Sequence, residues 1–266
     1  MRARNTALRL AVLAGALLAW QFGTKLVPED RKPYFPAPSV IGERMVDLWF
    51  SGPVSHAFLT SRATGNIIPS LERMLIGWGL AAVAGIAVGL ALGRSQRAQE
   101  YVDPLIHYFR AIPPPAAIPL FIILFKLADT MRIAVIVFGV IWPILLNTID
   151  GARSVEPLQL DTARVFGLSA PARLFRIILP AAAPKIFAGL RVSLSLSLIL
   201  MVVSEMVGSI NGIGFMLNEA KSSFELPDLW ASIVLLGILG YAFNAVFLWM
   251  ERHVLAWHRG ARGVIE

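Results

Sequence analysis

An all-α, polytopic membrane protein is the fold class this sequence predicts, and three observations predict it. The 266 residues are 56% hydrophobic and only 15% charged, with mean hydropathy +0.67, whereas soluble domains carry nearer a quarter charged residues. The apolar residues gather into six runs that are long enough, at ~1.5 Å of helical rise per residue, to cross a ~30 Å hydrocarbon core. Arginine collects between the runs. A lone strand would leave its backbone groups unpaired in lipid, so each run reads as a helix. Cysteine is absent, which excludes disulfides, thiolate metal sites and thiol nucleophiles. The net charge of +7 belongs with cytoplasmic loops and not with nucleic acid, because no basic run is interleaved with aromatics.

The first run, 7–27, follows Arg2, Arg4 and Arg9. No clean small-x-small cleavage site follows it, so it is expected as a retained helix and not a signal peptide. In the next segment Val40, Ile41, Met45, Leu48 and Trp49 form an apolar side at helical spacing within 39–61, predicting a helix on the outer membrane face. The second run, Met74–Gly93, is free of charge between Arg73 and Arg94. Along it Gly77, Ala81, Gly85, Gly89 and Gly93 recur every four residues, a smooth strip against which another backbone can pack. The third, 101–127, is broken by prolines at 113–115 and 119. Backbone groups freed there are tolerated only against protein or a water-filled cavity. The fourth run is 131–150, where Asn147 and Thr148 are expected to bond between helices. The fifth is 186–207 and the sixth 229–250. S-L-S-L-S-L at 193–198 alternates like a strand, but lipid decides for helix.

With the N-terminus inside and six crossings, the inner segments hold thirteen basic residues and the outer segments eight. That bias places both termini in the cytoplasm, and with them the stretch 151–185. This stretch reads as a helix–turn–helix. Glu156 and Pro157 open the first helix and Gly167 closes it as the residue after its cap. Ser169 caps the second, Pro171 sits in its first turn and Pro180 stops it.

Asp161, Thr162 and Ala163, then Gly167 six residues after Asp161, then Leu179-Pro180 resemble the EAA loop of ABC importer permeases, E-A-A-x3-G ending in hydrophobic-x-L-P. Asp stands for Glu and Thr for Ala. SLERMLIGWGLAAVAGIAVGLALGRS (70–95), VDPLIHYFRAIPPPAAIPL (102–120) and LPAAAPKIFAGLRVSLSLSLILMVVSEMVG (179–208) are similar to the nitrate/sulfonate/taurine branch of that family, as are PILLNTIDGARSV (143–155) and NGIGFML (211–217). The resemblance implies a bacterial inner-membrane subunit that dimerises, most simply as a homodimer. Each copy would dock its loop on a cytoplasmic ATPase dimer and receive a small anionic or zwitterionic solute from an extracytoplasmic binding protein. Asp161, Thr162, Ala163, Gly167, Ser169, Leu179 and Pro180 would form the coupling element. It also divides the chain into an N-terminal helix (1–28), an extracytoplasmic loop (29–65), a five-helix permease core (66–255, coupling loop 151–184) and a cytoplasmic tail (256–266).

A pathway between two copies is expected along Pro113, Pro119, Ser193, Ser197, Ser204 and Glu205. Serines on membrane helices more often bond their own backbone. Glu205 either faces a cavity or a partner, or sits at the outer interface where a carboxylate costs less. No G-x4-G-K-[ST] phosphate cradle occurs, since Gly89-x3-Gly93-Arg94-Ser95 has the wrong spacing and no lysine. Nor is there a catalytic constellation, a metal-ligand cluster or a cofactor motif. Energy must then come from a separate subunit. A secondary transporter or channel is the competing class, disfavoured by the lack of intramembrane charge relays and internal repeats.

Overall fold

The computed structural model describes residues 2–54 and 58–256. The expected tail, 256–266, lies outside them apart from its first residue. Among the described residues every regular element is a helix. Four helices are long and apolar enough to cross a membrane: Ser61–Gly93, Asp129–Arg153, Ala170–Glu205 and Leu226–Val254. A sharply bent pair, Gln96–Ala111 with Pro114–Phe125, makes a fifth among the described residues if it counts as one span. The N-terminal run is helical as α1, Arg2–Gly23.

The chain forms two units, one comprising the residues up to Pro69 with Ser209–Ile238, the other Ser70–Gly208 with the chain from Leu239 onward. In the first unit, α2 (Pro38–Met45) continues into a wide turn, Val46–Phe50. Ile41, Leu48 and Trp49 are buried in the chain, and Val40 is exposed. Arg44 clamps the nearly inaccessible Asp228 through Nε and Nη2, at 2.7 and 2.6 Å, and Trp20 packs on Trp230 with ring centroids 5.4 Å apart.

The second unit holds the rest of α3 (Ser61–Gly93), then α4 (Gln96–Ala111), α5 (Ile118–Phe125), α6 (Asp129–Arg153), α7 (Pro157–Val165), α8 (Ala170–Arg173) and α9 (Leu179–Glu205). α10 (Ile213–Ser222) belongs to the first unit, and α11 (Leu226–Val254) passes from the first to the second. The small-residue strip of α3 lies on α6. A Cβ on Gly77 would meet Ile136 at 2.8 Å, on Gly85 Ile144 at 3.0 Å, on Gly89 Thr148 at 2.6 Å and on Gly93 Ala152 at 2.7 Å, while Ala81 is fully buried. α6 meets α9 as closely. Gly189 faces the Pro143 carbonyl, Gly151 faces Ala182, and Gly139 faces Leu200 and Pro114. Small residues let these backbones approach where apolar lipid supplies no hydrophobic drive for association. Gly89→Leu is expected to destabilise the fold by about 1–3 kcal/mol through overpacking. The readout is the unfolding midpoint in detergent, with Gly79→Leu, which meets no atom within 4 Å, as the neutral control.

Two proline-rich places depart from expectation. The third run is interrupted more sharply than a kink, as two helices bent by 87°. Prolines 113–115 lack N–H groups and push the residues before them out of the α region. Ile112 and Pro113 are accordingly extended (ψ 118° and 125°), so α4 has to end at Ala111. Pro180 does not stop the second helix of the 151–185 stretch. α8 runs through a wide turn, Leu174–Ile178, into α9, giving 36 continuous helical residues. The Leu179 N–H bonds Leu174 O five residues back. This π-type turn shifts the carbonyls that the Pro180 ring would otherwise strike, so the helix survives.

Candidate functional site

Three features of the second unit carry chemistry. The first is the polar elbow of α7 and α8. Pro157 sits in the first turn of α7, where a missing N–H costs nothing. At its end Gly167 adopts φ +68°, its N–H bonds Arg164 O at 3.0 Å, and the Leu168 N–H bonds Ala163 O at 3.0 Å. That is a Schellman closure, which wants glycine because a Cβ resists the left-handed region. Two residues on, Ser169 Oγ accepts from the Ala172 N–H at 3.4 Å and starts α8. Asp161 pairs with Arg164 at 2.7 Å with both side chains well exposed, and Thr162 bonds Leu158 O at 2.8 Å, so neither holds the elbow to the spans. Ala163 and Ile178 do, being buried. What remains outside is apolar. Leu158 (73% exposed), Val165 (85%) and Phe166 (78%) project from α7, and Phe175 (65%) from the wide turn. A groove of 580 Å³ runs between Phe166, Leu168, Ile177 and Pro180. Together they leave the polar elbow with an uncovered apolar face.

The second feature is a groove of 440 Å³ at the α4–α5 break, lined by Arg110, Ile112, Pro114, Trp142, Leu196 and Ile199 among others. Phe109 stacks parallel to Trp142 at 6.5 Å, and Phe121 meets Phe138 at 5.7 Å, holding the break on α6. Pro113 and Pro119 are exposed beside it. The serines expected along a pathway do not line this groove. Ser193, Ser197 and Ser204 are completely buried in the chain, and each hydroxyl donates to a carbonyl three residues back at 2.7–2.9 Å. Ser193 also accepts from Trp78 Nε1 at 2.8 Å. The opposite side of α9 is the open one, with Val192, Ser195, Leu196 and Ile199. Asn147 and Thr148 likewise bond Pro143 O and Ile144 O of their own helix, not a neighbour.

The third feature is a charged cluster joining α3, α6 and α9. Glu205, 1% exposed, accepts from Ser70 Oγ at 2.7 and 2.8 Å and from Arg73 Nη1 at 2.8 Å. Arg73 Nε lies 2.8 Å from Asp129 Oδ1. Arg132 donates to the same oxygen at 3.1 Å and, through Nη2, to Gly208 O at 3.1 Å. Two arginines thus balance two carboxylates, and Glu205 is buried in the chain with its partners. The sequence singled out Glu205 but not Arg73, Asp129 or Arg132. The available signal was charge balance: a carboxylate in a span calls for a cation at the same depth, and Arg73 and Arg132 border the neighbouring runs.

Comparison with known proteins supplies the lineage. Residues 81–259 match the family described as binding-protein-dependent transport system inner membrane component. The chain is 32% identical over 250 residues to the nitrate import permease NrtB of Synechocystis sp., covering 94% of this chain and 88% of that protein. It is 28% identical over 256 residues to the taurine transport system permease TauC of Escherichia coli, covering 96% and 91%. A chain of the MetNI methionine ABC transporter, in an inward-facing conformation, shares the fold with TM-score 0.65 at 18% identity, over 80% of this chain and 98% of that one. Closely packed apolar spans carrying an exposed elbow at the EAA position, together with a family match over two thirds of the chain, identify a multi-pass inner-membrane protein of the binding-protein-dependent transport family, the permease subunit of an ABC importer.

Proposed function

We propose that two copies of this chain form the membrane pathway of an importer for a small anionic or zwitterionic solute, driven by a separate ATPase dimer and supplied by an extracytoplasmic binding protein. The observation that carries the reading is the elbow. Its apolar side chains Leu158, Val165, Phe166 and Phe175 are exposed at the position of the EAA loop, and the capped turn at Gly167 and Ser169 holds them in one geometry. A stiff, apolar projection transmits a push from a partner, where a slack loop would absorb it. Both termini and the elbow are assigned to the cytoplasm, where Arg94, Arg97, Arg153, Arg164, Arg173 and Arg176 gather. The cargo class rests on the relatives, whose names give nitrate and taurine, each a small solute with an anionic group. The buried serines of α9 leave the pathway to its open side and to the Pro113–Pro119 break.

The test is reconstitution. Co-expressed with a candidate ATPase and binding protein, the chain should co-purify with the ATPase and drive ATP-dependent uptake of nitrate, taurine or a related anion into proteoliposomes. Uphill uptake by the chain alone, with no ATPase in the preparation, would overturn the reading.

A further inference from the structure

The polar residues of α4 form a stripe that the permease reading does not yet use. Gln96, Glu100, Asp103, His107 and Arg110 follow one another at intervals of four and three, so they share one face of the helix. Most of this stripe satisfies itself. Gln96 Nε2 donates to Glu100 at 3.0 Å, and His107 Nε2 lies 3.2 Å from Asp103. Arg110, at the far end, makes no hydrogen bond or ion pair with any described residue, although it is the only charged group lining the groove at the break. Around it stand Ile112, Pro114, Trp142, Leu196 and Ile199. Arg110 is the fifteenth residue of α4, about 21 Å along the helix from its start.

Arg110 is exposed in the chain, and at membrane depth a guanidinium is costly unless water or an anion reaches it, because lipid and apolar side chains return nothing for lost hydration. The chain itself supplies no carboxylate there. Its planar fork of donors matches nitrate, sulfonate or carboxylate oxygens two at a time. We infer that Arg110 is the anion-selecting residue of the translocation pathway: it holds a positive potential in the groove at the α4–α5 break, and anionic solute passes along it. The inference rests on the permease reading and names the charge that reading left to the relatives. The open face of α9 beside it, Leu196 and Ile199, supplies the apolar wall that keeps the field unscreened.

The experiment needs no knowledge of the cargo, and it exploits a chain without cysteine. Ile199→Cys places one thiol in the groove, and the purified complex with its ATPase is treated with two reagents. One is 2-sulfonatoethyl methanethiosulfonate, an anion; the other is its trimethylammonioethyl counterpart, a cation. The expected result is reaction with both, favouring the anion, and a fall in the anion-to-cation rate ratio of about tenfold in Arg110→Gln. Arg110→Lys should keep the bias. A ratio unchanged by Arg110→Gln overturns the role of Arg110 while leaving the groove as pathway. A thiol at 199 that neither reagent reaches removes water from the groove and overturns the inference together with that pathway assignment. ATP-dependent uptake by the unmodified complex reports separately on the permease reading.

Discussion

Glu205→Ala is expected to be the most damaging single substitution for stability, lowering it by about 3–5 kcal/mol. Arg73 is 5% exposed and meets the Glu205 carboxylate at 2.8 Å, so the change leaves a guanidinium charge that cannot regain its hydration. Asp129 still lies against Arg73, but it is exposed and offers the weaker, solvent-screened partner, which places the effect toward the lower end of the range. The measurement is the unfolding midpoint of the detergent-solubilised protein, with a double-mutant cycle. Arg73→Leu with Glu205→Leu should cost less than either single change, because an apolar pair replaces a buried charge pair with little loss while a broken pair does not. Two single changes whose losses simply add would show that the buried pair is not energetically coupled. Transport should fall in step with folded protein, since no pathway role is required of this glutamate.

Gly167→Pro is expected to abolish solute-stimulated ATP hydrolysis and weaken co-purification of the ATPase while leaving the spans folded. Proline removes the N–H that bonds Arg164 O and locks φ near −65°, where the turn needs +68°. α7 would leave its angle to α8, and the exposed Phe166 would leave its place beside the groove. Gly167→Ala is the informative companion. No atom lies within 4 Å of the position a Cβ would take, so the change carries only the left-handed backbone cost of about 1–2 kcal/mol. Alanine should therefore retain most stimulated hydrolysis. Full activity in the proline variant would take the elbow out of the coupling path.

Much of this could be read along the chain. The prolines at 113–115 forbid a continuous helix because they lack N–H groups and restrict their predecessors, and that is a property of three adjacent residues. Gly167 and Ser169 announce the elbow in the same way, since a cap is built from atoms a few residues apart. Pro180 shows the limit of such reasoning. Its effect depends on whether the preceding turn can widen, and packing of Ile178 and Ala182 in the interior keeps the helix going through Leu174–Ile178. The small-residue recurrence on α3 is visible in the letters, but not that α6 is the helix it receives. The α6–α9 contact is less legible still, since its glycines, Gly139 and Gly151 on α6 and Gly189 on α9, have no regular spacing.

What the sequence by itself determined are the apolar runs, their breaks and the caps of the elbow, because each follows from periodicity or backbone chemistry within a turn or two. Only the tertiary structure decided which way each span is rotated. Rotation turned Ser193, Ser197 and Ser204 inward and Leu196 and Ile199 outward. It also brought Arg73 to Glu205 across 132 residues of chain and left Arg110 facing an apolar groove. Helix rotation is set by the best joint packing of several helices and by charge balance at matched depth, and neither quantity exists until the helices are side by side.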